Sequence, residues 1–392
     1  MGIHSSLSAE FSSPSPLSPV RKMTDPYALC WCGSGKKWKW CHKDRDKQSA
    51  DPMGARIHAM KQEVTKEGYC LHPDAEPGIC GDRIIKAHTV QRKGGLAAIT
   101  ENGHVISAKQ GFQDISKNNG KIIPREVSAR EASTFMGFCN RHDDEMFKSV
   151  ETGLPVLNQE SIFLLSFRAL SYEILMKQFA LRCMPFQREN DKGRPFEFQA
   201  FMQQHLNAYE HGLKLGLQDL LRWKSDYDLA FINRKFDSFQ VYGVAFSESL
   251  PVVGSGTFHP EFDFYGNPLQ RLGRNSALYE HMTYNLTVLN GVSVVVFGWM
   301  QEADGPANKL VKSYKELPDS EKADAAVRLA FEQIENIYFK PSWWNGRPKE
   351  TSDDAIRRMF SGTGIDGLER QPDCLRDAIV KYVSAEVGQE IY

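Results

Sequence analysis

Thirteen residues, CWCGSGKKWKWCH from Cys30 to His42, place three cysteines and a histidine in the pattern C-x-C-x8-C-H. So short a segment buries too little apolar surface to fold alone. Four soft ligands at this spacing suit tetrahedral zinc, and the Gly33-Ser34-Gly35 turn lets the chain double back around the ion. The free energy of metal binding then becomes the folding free energy of the knuckle. Lysines alternate with Trp38 and Trp40 here. They read as a solvated face with both tryptophans packed on the knuckle, the alternative being contact with a phosphate backbone.

The chain has eight cysteines, of which only Cys183 and Cys374 lie beyond residue 140. A disulfide framework is not expected in a chain of 392 residues whose opening, MGIHSSLSAEFSSPSPLSPVRK, lacks the apolar core of a signal peptide. A cytoplasmic protein is expected, with residues 1–24 as a disordered leader. The formal net charge of −1 gives no global field for a polyanion, so any such contact must come from a local patch. The apolar run Ile162–Leu181 is broken by Arg168, Glu173 and Lys177, and Val292–Met300 is too short to span a bilayer.

Hydrophobic residues make up 41% of the chain, enough for two or three modules. After the knuckle (25–50), KDRDKQSADPMG reads as a polar linker, and a second Cys/His unit occupies 55–150. RIIKAHTV and GHVIS read as strands separated by a Gly94-Gly95 turn. Ser128 and Glu131 have capping-box spacing, which predicts a helix ending near Gly137. FCNRHDDEMFKSVE looks like a knuckle running into a helix. Beyond 151, helices are expected from Gln159 to Leu181 and from about Phe196 to Trp223, the latter carrying Phe198, Phe201, Met202, His205, Leu206 and Tyr209 on one face. Strands are expected at Asp237–Phe246 and Pro251–Phe258, with a hairpin turning at Asn290-Gly291. Closing helices are expected at Ser320–Phe339 and Asp373–Glu386. The fold class is α+β: a small zinc knuckle, a Cys/His module, and a larger C-terminal α+β domain (151–392) with an antiparallel sheet.

Two resemblances follow from these residues. CGSGKKWKWCH is similar to the SEC-C motif, first known from the tail of a protein-translocation ATPase, over about twenty residues. The segment GYCLHPDAEPGICGDRIIKAHTVQRKGGLAAITENGHV, followed by FCNRHDDEMF, resembles the treble-clef layout of HNH (ββα-metal) endonucleases over about eighty. That resemblance implies His88 as general base and Asn102 or His104 as the group orienting it. It implies Cys70, Cys80, Cys139 and His142 as structural zinc ligands, with His72 the rival for one place. Asp143 or Asp144 would bind a catalytic Mg2+ or Mn2+, unless His142 does so and the zinc site is degenerate. Zinc in one or two sites is the structural cofactor.

Ala87 departs from the family where many members have a carboxylate, and no histidine follows His142 within the motif. For His88 and His104 the plainer reading is a hydrogen-bonded histidine. The leading expectation is a metal-dependent endonuclease acting on DNA, with residues 151–392 as a regulatory or sensor domain and phage defence as the setting. The alternative is a non-enzymatic zinc adaptor that recruits a protein partner. A translocation role rests on the SEC-C likeness alone. A regulatory ligand or protein at the C-terminal domain, and a homo-oligomer, remain open.

Overall fold

A computed structural model describes residues 20–50, 52, 54–55, 58–60, 62, 68–108, 123–151, 157–271, 279–289, 291–300, 304–361, 375 and 380–392. The regular elements are β1 (Ile84–His88), β2 (His104–Ser107), β3 (Arg125–Ser128), β4 (Thr134–Cys139), α1 (Asn140–Glu151), α2 (Gln159–Arg188), α3 (Phe196–Asn233) and β5 (Phe239–Phe246). There follow β6 (Val252–Phe258), β7 (Met282–Leu289), β8 (Val292–Met300), α4 (Pro306–Lys315), α5 (Asp319–Gln333), β9 (Ile337–Phe339), α6 (Lys349–Ser361) and β10 (Val387–Ile391).

The chain divides into two compact units. The first takes residues 1–67, 177–218 and 273–276; the second takes 68–176, 219–272 and 277–392. Within the first, Met184 on α2 packs with Met202, Leu206 and Leu213 on α3. Pro185 lies inside α2 near its end, where it removes one i→i−4 hydrogen bond.

The second unit is built on an eight-stranded antiparallel sheet in the order β10-β5-β8-β7-β6-β9-β2-β3. Every residue of β7 is buried, as is all of β8 but its two ends, as befits central strands covered on both faces. On one face Tyr284, Leu286, Val295 and Phe297 join Tyr314 of α4 and Ala326 of α5 in the main core, and the Tyr284 hydroxyl donates to the Ala326 carbonyl at 2.8 Å. On the other, Thr283 donates to Ser166 of α2 at 2.6 Å. There Phe163 stacks on Tyr227 and meets Phe239 edge-on. A separate two-stranded ribbon pairs β1 with β4, with Ile84 opposite Cys139 and His88 opposite Thr134.

The α+β class with antiparallel sheets is what the sequence predicts. Three local expectations are corrected. The Ser128/Glu131 pair makes one turn rather than a helix: Glu131 and Ala132 amides both donate to the Ser128 carbonyl. Ser133 then enters the left-handed region (φ 59°), and TFMGFC leaves as strand β4. The helix expected through Phe339 stops at Gln333, because buried Asn336 donates to Ser133 Oγ and the Ser255 carbonyl, and IYF enters the sheet as β9. Of the expected helix Asp373–Glu386, residues 380–386 are non-helical and lead into β10; most of the rest lies outside the described residues. Asn290 also lies outside them, but Leu289 opposite Val292 and Gly291 at φ 83° fit a two-residue hairpin loop. Leader residues 1–19 lie outside the described residues as well.

GHVIS forms β2 but pairs with β3 and β9, not with β1. Residues 92–99 coil as short helical turns, sending Val90, Leu96 and Ile99 into a core with Val105. Strands drawn from residues 104–128 thus share a sheet with strands from residues 239–391. No helix of the described residues is long and apolar enough to cross a membrane.

His281 is buried beside the Trp223 ring (5.6 Å), with His259 at 6.0 Å, and neither of its ring nitrogens has a hydrogen-bond partner among the described residues. Burial, with His259 adding to it, holds its pKa well below the ordinary imidazole value. The unfolded chain therefore binds this proton first. Stability is lost as pH falls below the unfolded value of about 6.5, by about 1.4 kcal/mol per pH unit. Urea unfolding at pH 7 and pH 5 should show a loss that shrinks by about 2 kcal/mol in His281→Leu; equal losses in both proteins contradict this.

Candidate metal centres

In the first unit, residues 26–30 and 36–39 run antiparallel, with the Cys30 amide donating to the Lys36 carbonyl and the Trp38 amide to the Ala28 carbonyl. The turn between them uses Gly33 at φ 77° and Gly35 at φ 72°, conformations that L side chains resist. This fold-back brings Cys30, Cys32, Cys41 and His42 together, all four ligand atoms within 4.8 Å of one another. Cys30 Sγ lies 3.3 Å from His42 Nδ1, Cys41 Sγ lies 3.2 Å from it, and Cys32 Sγ lies 3.5 Å from Cys41 Sγ. Tetrahedral zinc with its ordinary bond lengths sets S···S separations of about 3.7 Å and S···N separations of about 3.5 Å. The donor set therefore fits zinc.

Electrostatics agree. Hydrogen bonds from Cys30 and Cys41 hold Cys32 as the thiolate, and the same sharing pushes the Cys30 thiol up. Burial disfavours a charged His42, yet hydrogen bonds to Asp191, Cys32 and Cys41 raise it to about 10. A divalent ion at Nδ1 supplies the positive charge this cluster favours.

His42 Nε2 meets Asp191 Oδ2 at 2.9 Å. Asp191 is fully buried and also accepts from Arg45 and, at 2.7 Å, from Gln203. A carboxylate on the far nitrogen fixes the tautomer that leaves Nδ1 for metal and raises its basicity. Asn207 donates to the Cys32 carbonyl at 3.1 Å. Arg45, expected in a polar linker, is instead buried in this ion pair. Of the two tryptophans expected to pack on the knuckle, Trp38 is half-buried but Trp40 is 72% exposed.

The second centre gathers Cys70, Cys80, Cys139 and His142 within the same limit. Cys139 closes β4 and His142 lies in the first turn of α1, so strand and helix deliver two ligands three residues apart. His142 Nδ1 lies 3.3 Å from Cys70 Sγ and 3.8 Å from Cys80 Sγ. The amides of Gly81 (3.2 Å) and His142 (3.4 Å) donate to Cys139 Sγ, the contacts that stabilise a thiolate ligand. A Cβ at Gly81 would lie 2.2 Å from Asn140 Oδ1 and 3.0 Å from the Arg141 amide nitrogen, so the chain passes close to the start of α1 here. His72 does not join the cluster: its ring stacks on His142 (4.0 Å), and its Nδ1 accepts from the Asp74 amide. These two Cys3His sets are the groups of three or more ligand side chains found among the described residues, and each can hold an ion such as zinc.

His88 ends β1 and is half-buried. The strand exit is clamped there. Thr89 and Val90 amides donate to the carbonyl and hydroxyl of Ser133, whose own amide donates to the Tyr338 hydroxyl at 2.6 Å. The His88 ring hydrogen-bonds the Arg130 backbone, leaving Nε2 buried and without a partner among the described residues. Burial, then the Arg92 charge, keeps its pKa below the ordinary value.

No hydrogen bond among the described residues joins Asn102 or His104 to His88; the contact expected of them comes from Arg130. Asn102 instead occupies the turn before β2 at φ 50°, and its carbonyl meets His104 Nδ1 at 2.9 Å on the exposed side. Asp143 faces buried Arg168 at 3.4 Å, and Arg168 also pairs with Glu151 at 2.5 Å. Burial nonetheless pushes the Asp143 carboxyl up.

Neither a family model, nor a curated protein, nor a solved structure matches this chain. Asp191 was beyond the reach of sequence reasoning, because it stands 149 residues from His42 in an unremarkable END tripeptide. Asp191→Asn should weaken zinc retention by the first centre about 10- to 100-fold. Chelator titration should then release one ion at lower chelator concentration than in the parent; coincident release curves contradict the assignment.

Proposed function

We propose that the chain is an HNH-type endonuclease that hydrolyses DNA phosphodiesters, with His88 as general base. The observation that carries this reading is the His88 ring itself. It meets the Arg130 backbone, and its Nε2 has no hydrogen-bond partner among the described residues. Burial keeps the ring neutral, the form that accepts a proton from an attacking water. The strand bearing it pairs with β4, whose end and following helix carry Cys139 and His142. A strand–strand–helix unit tied by one zinc would hold the base rigidly. The positive charge of Arg92 near the ring suits a phosphate substrate.

The divalent cation implied by the family resemblance would stabilise charge on the phosphate. The residues present do not form a ready site for it: Asp143, expected as its ligand, is paired with Arg168. The chemistry that this chain's own residues offer is the base and its cationic flank. In this reading residues 151–392 regulate cleavage in a cytoplasmic defence setting, and the free thiols suit that compartment.

The adaptor reading draws on the same ion pair and on buried Ala87, which leaves β1 without a carboxylate beside His88. The two separate in one assay. Supercoiled plasmid incubated with Mg2+ or Mn2+ should be nicked, EDTA should stop it, and His88→Ala with unchanged zinc content should lose at least about 100-fold in rate. Undiminished nicking by His88→Ala removes His88 as the base, and inactivity of the parent protein across both metals favours the adaptor.

A further inference from the structure

The first knuckle carries on its outer face a group of side chains that zinc binding does not use. In the ribbon of residues 26–30 and 36–39, Leu29 lies opposite Lys37, and Lys39, within the 3-10 turn Trp38–Trp40, donates its amide to the Pro26 carbonyl. Leu29 and Lys37 share one side of the ribbon, while Ala28 and Trp38 are half-buried. Tyr27 is 60% exposed, Leu29 67% and Trp40 72%. The Lys39 ammonium sits 3.9 Å from the Tyr27 ring centre and 4.5 Å from that of Trp40, and Lys37 reaches Tyr27 at 5.6 Å. Between Val20 and Ala50 basic side chains outnumber acidic ones by eight to three, in a chain whose net charge is −1. Of these basic groups, Lys37 and Lys39 bring positive charge to the exposed rings, while Arg45 pairs with Asp191 and Lys47 with Asp44.

We infer that this face binds single-stranded nucleic acid, with bases stacking on Tyr27 and Trp40 and backbone phosphates meeting Lys37 and Lys39. Stacking on an exposed ring beside a fixed cation is how sequence-tolerant single-strand recognition is built. The Lys39 ammonium between the two rings, with Lys37 beside Tyr27, matches a ligand that presents flat bases and anions alternately. An anionic lipid surface presents the charge without the bases. Because cleavage plays no part in binding, the inference stands apart from the nuclease reading and survives its failure.

The test uses the full-length, zinc-loaded His88→Ala protein with fluorescein-labelled dT20 and rU20, followed by anisotropy at low salt without Mg2+. Binding should weaken with salt, and a 20-base-pair duplex should compete poorly. Trp40→Ala and Tyr27→Ala should each weaken binding about tenfold or more, and the pair Lys37→Glu/Lys39→Glu should abolish it. Lys309→Glu/Lys312→Glu, an equal charge change at exposed positions of α4, should do neither. Zinc content equal to the parent's shows that each variant knuckle is folded. A preference for dT20 or rU20 identifies the natural strand as DNA or RNA, and either supports the inference. It is overturned if the parent binds neither oligonucleotide, if the knuckle variants bind as the parent does, or if these substitutions alter only binding to anionic phosphatidylglycerol vesicles.

Discussion

The second unit depends on a convergence at one strand-to-helix junction. Cys139 ends β4 and His142 lies one turn into α1, and both meet Cys70 and Cys80 from the segment before β1. A metal shared by these four ties the chain entering β1 to the chain leaving β4. It therefore fixes the register in which Ile84 faces Cys139 and His88 faces Thr134. A two-stranded ribbon is marginal by itself in water. The tie, with Ser133 held by Tyr338 and Asn336, makes the position of His88 a consequence of ligand geometry.

The first centre follows the same logic with a different support. Its four ligand side chains lie within thirteen residues, so a metal held there would close a very short loop, and the orienting carboxylate comes from the distant Asp191. Arg45 and Gln203 saturate that carboxylate, which leaves it no freedom to leave His42. The second centre's histidine has no such carboxylate in the described contacts; a stacked imidazole, His72, covers it instead. Two sites with one donor set thus differ in their outer shells, and outer shells tune metal retention.

The first donor set lies within thirteen residues, a local cysteine and histidine signal for which zinc accepts few alternatives; the second, spread from Cys70 to His142, was implied only by the treble-clef resemblance, with His72 as a rival. Legible too were α2, α3 and the hairpin of β7 and β8, whose apolar patterns run long enough to average out local exceptions. What escaped was decided by tertiary partners. Ser128 and Glu131 carry a helix-start signal, but the alternation in TFMGFC and the pairing of β4 with β1 override it. IYF continued a helical pattern until buried Asn336 found partners on two other segments. Whether the second tryptophan of the knuckle packs or protrudes depends on which side of a short ribbon it falls, which no spacing rule encodes. Asn102 and His104 were placed beside His88 by the endonuclease resemblance, whereas β2, which His104 begins, is drawn into the large sheet.

Two Cys3His clusters, each able to hold zinc, tie chain segments together locally, one cluster within each unit. Zinc K-edge absorption on the purified full-length protein tests this most directly. The account predicts two zinc ions per chain with an average first shell of three sulfurs at about 2.3 Å and one nitrogen at about 2.0 Å. A single zinc per chain, or a shell dominated by oxygen and nitrogen, would contradict it.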